Sequence, residues 1–126
     1  MLLTQILAAD AIEPGGHYAQ AVAAGGLLFI SGQLGVGRGE DPARPLEEQV
    51  RRVLRSLERI LAARGAGLEA VARTSVYITD INHWPIVDRI YADFFGDHKP
   101  ARSIVPVPAL HYGAAIEIEA VAVDPH

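Results

Sequence analysis

From Leu46 the apolar residues fall at Leu46, Val50, Val53, Leu54, Leu57, Ile60 and Leu61, steps of three and four that draw a single stripe down a helix. Arg51, Arg52, Arg55 and Arg59 take the opposite face, with Glu47–Arg51 and Glu48–Arg52 spaced for i,i+4 ion pairs. Pro45 suits the first turn, Glu47 and Glu48 complement the positive end of the dipole, and Arg64 followed by Gly65 marks the close. A second helix is predicted over residues 85–95. Ile86, Val87, Ile90, Tyr91, Phe94 and Phe95 form its broad apolar face, Asn82 stands near its start and Gly96 ends it.

The β-branched run "VARTSVYITDI" between the helices reads as a strand, as does "GLLFISGQ" before the first helix, with a weaker one through "HYAQAVAAG". Residues 102–107 and 115–123 give two more, joined by a turn near Tyr112 and Gly113. The order ββ-α-β-α-ββ is that of a single α+β domain over residues 1–126, without internal repeat or linker. In the last strand Ile116, Ile118, Ala120 and Ala122 share one face, while Glu117, Glu119, Val121 and Val123 share the other. Two helices cover one side of such a sheet. The mixed second side is expected to be hidden in an oligomer, with Glu117 at or near the subunit interface.

Composition narrows the chemistry. The 126 residues suit one core, and a chain half hydrophobic and 21% charged folds rather than staying disordered. The absence of cysteine removes disulfides, thiolate nucleophiles and Cys-ligated zinc together. A net charge of -4 has the wrong sign for a phosphate-backbone partner, so no nucleic acid is expected. "MLLTQILAAD" lacks a basic leader region and "AVAAGGLLFI" is too short to span a bilayer; a cytoplasmic protein without a membrane partner is expected.

Isolated motifs point nowhere specific. The glycine-rich "SGQLGVGRGEDP" has no G-K-[ST] ending and reads as a mobile loop. The five histidines lack metal-ligand spacing, so no metal site is expected. Ser31 sits in "ISGQ", not in a nucleophile elbow. Arg102 and Glu117 remain. A guanidinium offers a planar fork of donors for a small carboxylate, and a partly desolvated glutamate can orient or deprotonate water, yet the same two residues in neighbouring strands also suit a plain ion pair. In a tight hairpin turning at Tyr112–Gly113, Arg102 would lie roughly 20 Å along the strand from Glu117. A shared site therefore requires that the strands are not hairpin neighbours or that the two residues come from different subunits.

"PARSIV" followed after a spacer by "IEIEA" resembles the C-terminal signature of the reactive-intermediate deaminases (RidA, formerly YjgF, also labelled endoribonuclease L-PSP). "GGHYAQAV", "LLFISGQLG", "AARGAGLEAVARTSVYITDI" and "IVDRIYADFFGDHKPARS" resemble the family's other segments in family order. The resemblance implies a chorismate-mutase-like domain, a six-stranded mixed sheet with two helices on one face, in a homotrimer with sites between subunits. It implies hydrolysis of enamine or imine intermediates of the 2-aminoacrylate/2-iminopropanoate type to 2-ketoacid and ammonia, without a cofactor. By the same resemblance Arg102 binds the substrate carboxylate, Glu117 positions the attacking water, and Tyr18, Ser31 and Gly32 line the pocket. Ile104 and Asp88 stand at substrate-side positions where the archetype carries cysteine and asparagine, and Pro106 and Pro108 imply an edge strand or an early strand end. The competing readings are a non-catalytic homotrimer that binds small carboxylic acids or proteins, and a ribonuclease, against which the acidic balance and the lack of an evident histidine pair argue.

Overall fold

Strand β6 (Ile116–Val123) lies near the middle of the sheet although it comes last in the chain, and this placement decides where the candidate residues end up. The structure, a computed structural model, describes residues 2–126. Its other strands are β1 (Thr4–Ile6), β2 (Ala21–Ala24), β3 (Leu27–Leu34), β4 (Val71–Ile78) and β5 (Ala101–Pro106), and the six form one sheet in the order β1-β2-β3-β6-β4-β5. Only β4 and β5 run parallel; every other neighbouring pair is antiparallel. A parallel pair needs a crossover, and helix α2 (Trp84–Phe95) supplies it.

Helix α1 (Leu46–Ala63) begins and ends as its sequence requires. Pro45 occupies the N-cap position, and after Arg64 the chain turns through Gly65 at φ 80°, where the left-handed region favours glycine. Val50, Val53, Leu54, Leu57, Ile60 and Leu61 are almost completely buried and pack against the inward face of β3 and β6, where Ile116, Ile118, Ala120 and Ala122 are equally buried. The two i,i+4 pairs do not form; Arg52 is held instead by Glu40 from the preceding loop, which also accepts the Gly37 N–H at 2.9 Å. The glycine-rich loop is thus braced rather than free. Helix α2 starts one residue earlier than expected and carries no side-chain cap. Asp80, not Asn82, does the capping: its carboxylate accepts the Asn82 N–H at 2.9 Å in a 3-10 turn (Ile81–His83) that runs into the helix.

Both helices lie on one face. The other bears Phe29, Val105 and Val123 at 47%, 38% and 53% exposure, a mixed apolar surface of the kind read from the sequence. β1, three residues long, is the strand absent from the hydrophobic pattern, too short to show a period of two. Pro106 ends β5, and β5 is an edge strand, as the prolines implied. Among the described residues no helix is long and apolar enough to cross a membrane.

Candidate active site

β6 aims Glu117 onto the open face, directly beside an irregularity in β3. The ladder runs Ile30↔Ala120 and then Gln33↔Ile118, so Ser31 and Gly32 together oppose Glu119, a β-bulge. The bulge brings the Gly32 Cα against the Glu117 side chain: a Cβ at Gly32 would collide with the carboxylate oxygen Oε2. Glycine leaves the room that the Glu117 carboxylate occupies. Replacing Gly32 by alanine is expected to push the Glu117 carboxylate out of place and lower kcat at least tenfold while leaving the fold, read by circular dichroism, intact.

Ser31 spends its proton elsewhere: its hydroxyl donates to the Ala19 carbonyl at 2.7 Å, which leaves lone pairs toward the cleft and no activated nucleophile. Tyr18 completes this side, its hydroxyl accepting the Gly15 N–H at 3.1 Å. His111 and Tyr112, which the sequence offered only as part of a turn, also line the cleft of about 410 Å³ that holds Tyr18, Ser31, Gly32 and Glu117. Tyr112 adopts φ 63°, a left-handed conformation costly for a residue with a Cβ, and its ring stands 6.0 Å from the Arg38 guanidinium carbon. No sequence signal marks a tyrosine in that conformation.

Buried glutamines hold these loops in place. Gln20 accepts the Ala8 N–H at 2.7 Å and donates to the Ala8 and Ile12 carbonyls, while Gln49 accepts the Ala115 N–H at 2.8 Å just before β6. Glu117 itself is half-buried and its carboxyl is held above the ordinary carboxylate value of 4.5, first by burial and then by the neighbouring charge of Glu119, against an opposing pull from His111. Glu119 is engaged with the Tyr77 hydroxyl, which donates to it at 2.6 Å.

Arg102 lies on the other side of the sheet. Its register partner Thr74 is fully buried under α2, and Arg102 follows it to that face. Nη1 donates to Asp88 Oδ1 at 2.8 Å, and the guanidinium carbon stacks 4.8 Å from the centre of the Tyr91 ring, whose hydroxyl bonds Thr74 Oγ1 at 2.7 Å. Arg102, Asp88, Tyr91, Phe95 and Lys99 line a second cleft of about 440 Å³. Ile104, two residues on, packs its side chain against the core, so what it can offer a ligand is edge-strand backbone.

The plain ion pair between Arg102 and Glu117 is thereby excluded within one chain; Arg102 pairs with Asp88. Nor are β5 and β6 a hairpin, because β4 lies between them, with Arg102 opposite Thr74 and Glu117 opposite Tyr77. Two strand spacings and three residues separate the two by about 14 Å, on opposite faces. The expected site residues therefore fall into two half-sites, one with Tyr18, Ser31, Gly32 and Glu117, the other with Asp88 and Arg102. Among the described residues no three His, Cys, Asp or Glu side chains are placed to share a metal ion.

Residues 8–124 match the pattern of the family described as Endoribonuclease L-PSP. A RutC family protein of Pyrococcus horikoshii is 40% identical over 119 residues, 93% of this chain and 94% of that protein. The chloroplastic Reactive Intermediate Deaminase A of Arabidopsis thaliana is 38% identical over 109 residues, 85% of this chain and 58% of the relative. Among solved structures, E. coli TdcF with bound serine superposes with a TM-score of 0.87 at 34% identity, covering 95% of this chain and 98% of that one.

Proposed function

This chain belongs to the RidA/YjgF (endoribonuclease L-PSP) family, and on that premise we propose that it hydrolyses imine and enamine intermediates of small 2-amino acids to 2-ketoacid and ammonia. The observation that carries the reading is the division of the site. Each chain has a partly exposed arginine on one face and a half-buried carboxylate of raised pKa on the other, too far apart to share a ligand within the chain. A head-to-tail ring in which the β5 edge of one chain packs against the open sheet face of the next, a homotrimer, unites the Arg102 half of the one with the Glu117 half of the other. Phe29, Val105 and Val123 supply the apolar surface for that packing.

In the united cleft Arg102 holds the carboxylate of the protonated imine, leaving its C=N carbon toward Glu117. The Glu117 carboxylate accepts a proton from water as the oxygen bonds to that carbon, giving a carbinolamine. The proton returns from Glu117 to nitrogen, the C–N bond breaks, and as the carbonyl forms the hydroxyl proton passes to the Glu117 carboxylate and from there to the departing ammonia, which leaves as ammonium. An enamine first tautomerises to the imine. No covalent enzyme intermediate is needed. A relative that carries the name Reactive Intermediate Deaminase A, and another seen with serine bound, support a site for small amino-acid-derived ligands. The ribonuclease reading has one histidine, His111, in the Glu117 cleft and a net charge of -4 against it.

The test is 2-ketoacid formation from imines freshly generated by an amino-acid oxidase, in competition with semicarbazide. Acceleration over the protein-free rate is expected. A base works only when deprotonated, so the rate should fall on acidification through the raised pKa of Glu117, at a pH above the ordinary carboxylate value of 4.5. Glu117→Gln is expected to lose both the activity and that acid limb. A wild-type rate equal to the protein-free rate across several amino acids would refute hydrolysis and favour a trimer that only binds small acids.

A further inference from the structure

Arg102 and Asp88 form more than a structural ion pair. The bond between them uses one nitrogen and one oxygen, Nη1 to Oδ1 at 2.8 Å. Nε and Nη2 of the arginine and Oδ2 of the aspartate make no other hydrogen bond among the described residues. Both side chains border the same cleft, and both are partly open to it, 24% and 42% exposed. The pair therefore presents two free donors beside one free acceptor, a cation beside an anion. Stacking on Tyr91 and the Asp88 bond fix the plane of the guanidinium, so the two charges hold a constant spacing.

We propose that Arg102 and Asp88 together receive a zwitterion, Arg102 taking the carboxylate of the ligand and Asp88 its cationic nitrogen, so that the cleft prefers 2-imino and 2-amino acids to the matching 2-ketoacids. This rests on the functional reading above and names the charge class of its substrate. A simple carboxylate meets an arginine already half neutralised and the free oxygen of its aspartate partner next to it, whereas a zwitterion satisfies both at once. The other groups facing the cleft do not reverse this. Lys99 is exposed and screened, and the His98 ring is engaged with the Val71 carbonyl at 2.7 Å. The consequence for turnover is directional. Hydrolysis replaces the cationic nitrogen by a neutral carbonyl oxygen, the interaction with Asp88 is lost, and the product is released. Asp88 is in this respect a specificity-determining residue, and it takes no proton in the reaction.

The experiment is calorimetric titration of 2-aminobutanoate and 2-oxobutanoate into full-length wild type, Asp88→Asn and Arg102→Ala. Wild type is expected to bind the amino acid tighter than the ketoacid. In Asp88→Asn, which keeps the shape and the hydrogen bond to Arg102, the ketoacid is expected to gain and the amino acid to lose about fivefold each, reversing the order. Arg102→Ala should lose both ligands. If the ketoacid binds through Arg102 but Asp88→Asn leaves the ratio of affinities unchanged, the zwitterion proposal falls and the deaminase reading stands. If wild type binds neither ligand, the zwitterion proposal falls, and the deaminase reading stands or falls on the hydrolysis rate.

Discussion

Arg102→Ala is expected to remove turnover and 2-ketoacid binding together, by about 100-fold or more in kcat/KM, because truncating one partner of a hydrogen-bonded charge pair costs about 2–5 kcal/mol. The size of the effect follows from what the side chain touches. Its guanidinium is the proposed acid anchor of its half-site, it covers the Tyr91 ring, and it compensates Asp88. Removing it deletes the attraction and also leaves the Asp88 carboxylate facing the incoming acid, so the variant repels what the wild type binds. Arg102→Lys keeps the charge and loses the fork and the stacked plane; it should recover part of the binding and little of the rate. The fold should survive, since Arg102 sits on an edge strand and its ion pair is partly exposed. Unchanged hydrolysis in Arg102→Ala, with native circular dichroism, would overturn the assignment of the anchor.

What the sequence could and could not announce divides along the range of the interactions. The α1 stripe and the alternation of β6 are local periods, and Val50 through Leu61 and Ile116 through Ala122 lie where those periods put them. The insertion of β4 between β5 and β6 is not local. It depends on a parallel crossover and on the last strand entering mid-sheet, and nothing in residues 99–120 encodes that neighbourhood. Proximity along the chain therefore suggested an ion pair between Arg102 and Glu117 that the sheet forbids. Residue chemistry singled out the two residues, the family resemblance supplied their roles, and the fold supplied the reason they cannot act within one chain. Gly32 was legible, through the resemblance, as a pocket residue but not as the point of approach to Glu117, because a bulge two residues wide leaves no trace in a glycine-containing strand. Tyr112 and His111 were hidden for the same reason that Asp80 displaced Asn82 as a cap: loop geometry is fixed by contacts with distant backbone, such as the Gln49 bond to Ala115.

Mixing experiments test the division of the site with a magnitude attached. Chains carrying Arg102→Ala and chains carrying Glu117→Ala should each be inactive alone. If every site takes its arginine from one copy and its glutamate from the next, random co-assembly of equal amounts places an intact arginine beside an intact glutamate at about one interface in four, whatever the size of the ring, and activity returns to about a quarter of wild type. A site contained in one chain gives no recovery, since neither chain holds both residues. The converse mixture sharpens the distinction. Equal amounts of wild type and of the chain carrying both substitutions should also retain about a quarter of the sites in a shared arrangement, because an intact interface needs two intact neighbours, but about half if each chain works alone. Recovery in the first mixture with a quarter in the second requires a heterologous, head-to-tail ring. Zero in the first with half in the second would require each chain to bring Arg102 and Glu117 together by itself, which two opposite faces of one sheet do not allow.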